Sequence, residues 1–248
     1  MTEILSEDHL IEAADGQAHV SLHRPHDGGR YPAVILFMDA LGYRPVFPTM
    51  GRRLAAAGYT VLVPNLFYRE GPPRKLSFTK ERDYVVRLSL GLMPDRVVRD
   101  TKFYLDFLDH TPSADTTRVG AHGYCMGGGC ALTVAAHYPD RITAAAAFHS
   151  ARLSADPSLD ITTHGVDRFF PNISARVYIG VAGNDHLLLP GETARVRQAL
   201  VDAGVRHEIE TYEGAQHGFA VPDNATYDSV ADARHWERLL AFYRDTLQ

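Results

Sequence analysis

The sequence has only two cysteines in 248 residues, Cys125 and Cys130, five positions apart. That is too few for a disulfide framework, and the spacing matches no zinc-ligand pattern. Long hydrophobic runs are also missing. The longest useful one, Ala33 to Met38, has the length of a strand and falls far short of the roughly 18 apolar residues that cross a bilayer. There is no basic excess: 25 Lys and Arg stand against 30 Asp and Glu, a formal net charge of -5. A nucleic-acid-binding surface or a polybasic membrane anchor would show the opposite balance. The first residues, Met1-Thr2-Glu3-Ile4, include an acid and no apolar stretch. No secretory signal is read there, and with so few cysteines the expected compartment is the cytoplasm.

What remains is an ordinary globular composition, 45% hydrophobic and 22% charged. The length allows one or two domains and a sizeable core. No composition shift, repeat or low-complexity tract divides it, so a single domain over residues 1–248 is expected.

Apolar runs and helical spacings alternate along the chain. Residues 18–22 alternate weakly, as an early strand. Residues 33–38, 59–64, 118–122, 143–148 and 177–181 read as buried strands, and 207–212 as an edge-type strand. Helices are predicted over 48–57, 95–108, 126–137, 191–203 and 228–247. Two stretches, 65–95 and 149–173, look irregular and are expected to form cap-like excursions over a site. This order implies an α/β protein whose mostly parallel central sheet carries helices on both faces. In such sheets ligands bind beyond the carboxyl ends of the strands.

Immediately after one such strand comes Gly123-Tyr124-Cys125-Met126-Gly127-Gly128, running straight into a helix. A nucleophile at a strand-to-helix elbow sits on a strained backbone and needs small neighbours on both sides. Gly123 and Gly127 fill those places. The following helix aims its free N–H groups and its positive dipole end at Cys125, which favours a thiolate. The Met126 N–H is placed to receive an oxyanion. The competing readings are a buried core cysteine and a glycine-rich phosphate turn; the dinucleotide fingerprint cannot be traced through these glycines. Cys130, among Ala and Leu inside the helix, reads as core.

A nucleophile needs a base, and the base an orienting group. In this kind of fold the order is nucleophile, acid, histidine, each after a later strand. Asp185 follows the run ending near Ala182, and His217 follows the strand ending near Tyr212. His186 is the rival base, but its adjacency to Asp185 makes an aligned pair awkward. Asp39 directly follows the most apolar strand, where an acid is costly unless used or satisfied. Its loop is the one that supplies the second oxyanion donor, assigned by position to the Ala40 N–H. The other reading of Asp39 is a turn or helix cap.

These residues together resemble the dienelactone hydrolase family of the α/β-hydrolase superfamily. The likeness rests on the cysteine elbow at Gly123 to Gly128, Asp185 in Gly-Asn-Asp, His217 in His-Gly-Phe, and an acid after the first central strand. It spans the chain from about residue 15 to the end. The resemblance implies an α/β-hydrolase fold and a Cys125–His217–Asp185 triad that hydrolyses a small-molecule ester or lactone, without cofactor or metal. It implies that Asp39 stands where the family's glutamate modulates the thiol, one methylene shorter. It also implies arginines that hold a substrate carboxylate, for which Arg69, Arg74, Arg82 and Arg87 lie in the right stretch. A related acyl esterase or thioesterase and a silent small-ligand-binding member of the fold are the alternatives.

Overall fold

The computed structural model describes residues 3–155 and 165–248. Eight strands form one sheet in the order β1-β2-β4-β3-β5-β6-β7-β8. β1 (Ile4–Ala13) and β2 (Gly16–Pro25) form a hairpin, and β2 pairs antiparallel with β4 (Thr60–Pro64). From β4 onward every pairing is parallel: β3 (Tyr31–Phe37), β5 (Ala114–Tyr124), β6 (Ile142–Phe148), β7 (Arg176–Asn184) and β8 (His207–Gln216). The carboxyl ends of these strands therefore share one edge.

The expected α/β architecture is present. β3 and β4 are buried almost throughout, as continuous apolar runs must be in a sheet covered on both faces. α3 (Asp95–Asp109) and α4 (Met126–His137) pack together against the sheet. α1 (Val46–Ala56) and α6 (Ser229–Leu247) also cover it, and they meet where the Arg53 guanidinium lies 4.2 Å from the Trp236 ring. His122 of β5 bonds the Tyr243 hydroxyl of α6 at 2.9 Å, and Tyr124 bonds His235 at 3.0 Å, so alternate residues of β5 face α6. α5 (Glu192–Asp202) connects β7 to β8, and Asp228 caps α6 by accepting from the Val230 and Ala231 N–H groups.

Two elements differ from the sequence reading. β1 was not expected, because its alternation is carried by Ser, Glu, Asp and His and only two of its residues are buried. The stretch 65–95, read as irregular, contains α2 (Arg82–Leu92), whose buried face is only Val85, Leu88 and Leu92. In the second excursion, residues 166–172 form a 3-10 turn, and residues 156–164 lie outside those described. Among the described residues no helix is long and apolar enough to cross a membrane.

Candidate active site

The turn between β5 and α4 puts Cys125 at φ 55°, ψ -118°, a region that residues with a side chain seldom occupy. The surrounding glycines make that turn possible. A Cβ on Gly123 would overlap the Gly127 carbonyl, and one on Gly127 would overlap the Phe37 and Met38 carbonyls at the end of β3. The elbow is thus wedged directly under the loop that begins at Met38. It is braced from β6, where the Phe148 carbonyl accepts the Cys125 N–H at 3.0 Å and the Ser150 hydroxyl donates to the Cys125 carbonyl at 2.8 Å. Because α4 starts at Met126, its first turn follows the elbow directly, and the Gly128 N–H there donates to the Cys125 carbonyl at 3.2 Å.

Asp185 is the first residue beyond β7, and its side chain is fully buried. One carboxylate oxygen accepts the Leu187 N–H at 2.9 Å and the other accepts His217 Nδ1–H at 2.8 Å. His217 is the first residue beyond β8; its own carbonyl accepts from the Thr226 hydroxyl at 2.5 Å. With Nδ1 committed to Asp185, the other ring nitrogen is left to serve Cys125, whose sulfur is close enough to act electrostatically on His217. Burial pushes the His217 imidazolium toward the neutral form, but the Cys125 sulfur and Asp185 outweigh it and raise the pKa from 6.5 to about 10. The rival His186 is exposed, 6.3 Å from His217 between ring centroids, and it is His217 that Asp185 holds.

Of the two readings of Asp39, a thiol-modulating acid and a turn cap, the contacts present are those of the turn cap. Its carboxylate is buried but spent on neighbours other than the thiol: Oδ1 accepts from Arg44 Nη1 at 2.6 Å and the Leu41 N–H at 2.9 Å, and Oδ2 from Arg44 Nη2 at 2.9 Å. Aspartate is short enough to close on its own loop, where a buried guanidinium awaits it. Ala40, the expected second oxyanion donor, is the residue between Asp39 and Leu41 in this turn.

Of the four arginines nominated for a substrate carboxylate, two are paired with carboxylates of the protein itself. Arg69 grips the fully buried Asp100 with both terminal nitrogens, at 2.7 and 2.8 Å, and reaches Asp15. Arg74 pairs with Glu81 at 3.0 Å. Arg82 and Arg87 are exposed on α2, Arg87 lying 5.0 Å from the Tyr84 ring.

The sequence reading passed over His149, the residue directly beyond β6. It is 1% exposed at φ 38°, its ring stands 5.2 Å from that of His217, and neither ring nitrogen has a partner among the described residues. Burial, with the nearby His217 charge, holds it neutral. Its position one residue past a buried strand was the signal that could have found it. Arg44 was passed over too, and nothing local in the sequence marks it. Cys130 is core as expected: it is fully buried, its Sγ lies 3.6 Å from Met93 Sδ, and burial pushes its thiol pKa up. Among the described residues no cluster of three His, Cys, Asp or Glu is arranged to hold a metal ion.

Known proteins match this chain in sequence and fold. The model of the dienelactone hydrolase family matches residues 19–247. A Salmonella typhimurium protein named "putative carboxymethylenebutenolidase" is 32% identical over 222 residues, which are 87% of this chain and 77% of that protein. The carboxymethylenebutenolidase of Rhodococcus opacus is 25% identical over 231 residues, 90% of this chain and 84% of that one. A Klebsiella pneumoniae crystal structure, described as a "putative dienelactone hydrolase", superposes with a TM-score of 0.85 at 25% identity and covers 98% of this chain and 99% of its own. The chain belongs to the dienelactone hydrolase family and has the α/β-hydrolase fold.

Proposed function

We propose that the protein hydrolyses a carboxylic ester or lactone through a thioester formed on Cys125. The observation that carries this reading is the line Asp185–His217–Cys125, drawn from three strand ends onto a strained elbow. Cys125 Sγ, as thiolate, attacks the carbonyl carbon, and the electron pair moves to the oxygen. The Met126 and Ala40 N–H groups receive that oxyanion. Collapse breaks the C–O bond, and the leaving alkoxide takes the Nε2 proton of His217. In a lactone the alcohol stays tethered to the acyl group. His217 then removes a proton from water, hydroxide attacks the thioester, and the thiolate departs from the free acid. Asp185 keeps Nδ1 protonated and supports the imidazolium.

Family membership supports a lactone of the kind named for the Rhodococcus opacus relative as the first substrate to try. A specific observation favours a neutral ester as the second. Arg69 and Arg74 are already paired with carboxylates, so neither stands free for a substrate carboxylate. The test is turnover of a carboxymethylene lactone, its methyl ester and p-nitrophenyl acetate by the protein and by Cys125→Ala. The expected result is hydrolysis that Cys125→Ala lowers by at least about 1,000-fold with the circular dichroism unchanged. Mass spectrometry of the acid-quenched protein should show one acetyl group on Cys125. Unreduced activity in Cys125→Ala overturns the proposal.

A further inference from the structure

Arg44 is almost wholly buried beside the elbow, and its surroundings account for every hydrogen it can donate. A guanidinium has five N–H groups. Nε donates to Asp223 Oδ2 at 2.8 Å. Nη1 donates to Asp39 Oδ1 at 2.6 Å and to the Gly42 carbonyl at 3.1 Å. Nη2 donates to Asp39 Oδ2 at 2.9 Å and to Asn224 Oδ1 at 3.3 Å. No donor is left for a substrate anion, so the residue does not bind one.

Its acceptors belong to two different loops. Asp39 and Gly42 frame the turn that holds Ala40, and Asp39 also fixes the Leu41 N–H. Asp223 and Asn224 lie on the segment that leaves His217, and Asn224 Nδ2 reaches back to the Gly218 carbonyl at 3.5 Å. A Cβ on Gly127 would strike the Met38 carbonyl, so the Asp39 turn starts in direct contact with the elbow helix. Charges balance across the cluster, since Lys75 meets Asp223 at 3.1 Å on its outer side.

We propose that Arg44 is a positioning residue that ties the Asp39–Gly42 turn to the loop after His217, setting the Ala40 N–H and the His217 ring relative to each other at Cys125. This rests on the ester-hydrolase reading above. In that scheme Asp39 is a clamp rather than a modulator of the thiol.

The test compares Arg44→Lys and Asp223→Asn with the parent protein, using p-nitrophenyl acetate turnover, alkylation of Cys125 by iodoacetamide, and thermal unfolding. Lysine keeps the charge but cannot fork to two loops. Loss of loop registration should lower kcat by roughly 10- to 100-fold, with KM changed less than about threefold. Alkylation, which needs the thiolate but no oxyanion site, should fall far less than kcat in both variants, by under about threefold. A kcat that stays at the parent value while the melting temperature drops assigns Arg44 to stability alone and overturns the proposal, as does an equal loss in alkylation. Should Arg44→Lys not fold, Asp223→Asn, altered at a partly exposed site, must show the same split or the proposal fails. If the parent protein turns over no ester, or Cys125→Ala is as active as the parent, it is the hydrolase reading that fails.

Discussion

His217 Nδ1 lies 2.8 Å from Asp185 Oδ2, and the Asp185 side chain is wholly shut off from solvent. A buried carboxylate at this distance stabilises the imidazolium, and together with the Cys125 sulfur it overcomes the burial that would drive the proton off, raising the pKa to about 10. Turnover needs that proton for the leaving alkoxide. The alkaline limb of kcat/KM should therefore lie well above the ordinary imidazole value of about 6.5. Asp185→Asn removes the charge and should move the limb downward, with a loss in kcat of at least about 100-fold. Ester hydrolysis recorded from pH 5 to 11 checks both. A limb that does not move would separate Asp185 from His217 titration.

The elbow makes a steric prediction. Gly123 faces the Gly127 carbonyl with no room for a methyl, and Gly127 cannot retreat because the ends of Phe37 and Met38 stand behind it. Gly123→Ala should destabilise the fold by about 1–3 kcal/mol through overpacking and displace Cys125, so activity falls even in the folded fraction. Gly91 in α2 is the contrast, since the nearest atom to a Cβ there is Arg96 Nη1 at 3.8 Å. Gly91→Ala should leave turnover unchanged and raise stability by up to about 1 kcal/mol. Thermal unfolding and initial rates on the two variants decide the matter.

The difference between those glycines also explains how much was legible beforehand. Cys125 and Asp185 could be picked out because each stands just past a strand whose C-terminal half is largely buried, and His217 because it follows the alternating edge strand β8. Gly123 and Gly127 were readable because an elbow demands small residues at fixed offsets. β1 was not readable, since an edge strand paired on one side needs little apolar burial to form. Nor was α2, whose three buried residues are diluted by Arg and Ser. The Arg44 cluster is a tertiary fact: its partners Asp39 and Asp223 lie 5 and 179 residues away, and no local pattern joins them. The pairing of Arg69 was hidden for the same reason, because its partner Asp100 comes from α3.

Arg69 can be separated from a substrate contact by what its loss damages. Asp100 is fully buried and shares its oxygens between Arg69 and the Tyr68 hydroxyl, which donates at 2.9 Å. Arg69→Met would leave a buried carboxylate without its cation, a loss of about 3–5 kcal/mol in comparable pairs. The melting temperature should fall while KM for a carboxylate-bearing lactone stays within about twofold of the parent's. A raised KM with unchanged stability would instead return Arg69 to the substrate site.

His122 gives the protein a defined acid weakness. The ring is fully buried on β5; burial, with His235 nearby, lowers its pKa from 6.5 to about 3. Between those values the unfolded chain binds a proton that the folded chain does not. Stability therefore falls as pH drops from about 6.5 toward 3, by up to about 1.4 kcal/mol per pH unit from this group. Nδ1 bonds the Tyr243 hydroxyl, whereas Nε2 has no partner among the described residues. His122→Phe therefore loses one hydrogen bond but also removes one unsatisfied buried nitrogen, and its stability at pH 7 should stay within about 1 kcal/mol of the parent's. The pH dependence should change more than the pH 7 value: urea unfolding at half-unit steps from pH 4 to 7 should show a shallower acid slope in His122→Phe. Equal slopes in the two proteins would mean that His122 takes up its proton without unfolding, and that the wall between β5 and α6 admits charge.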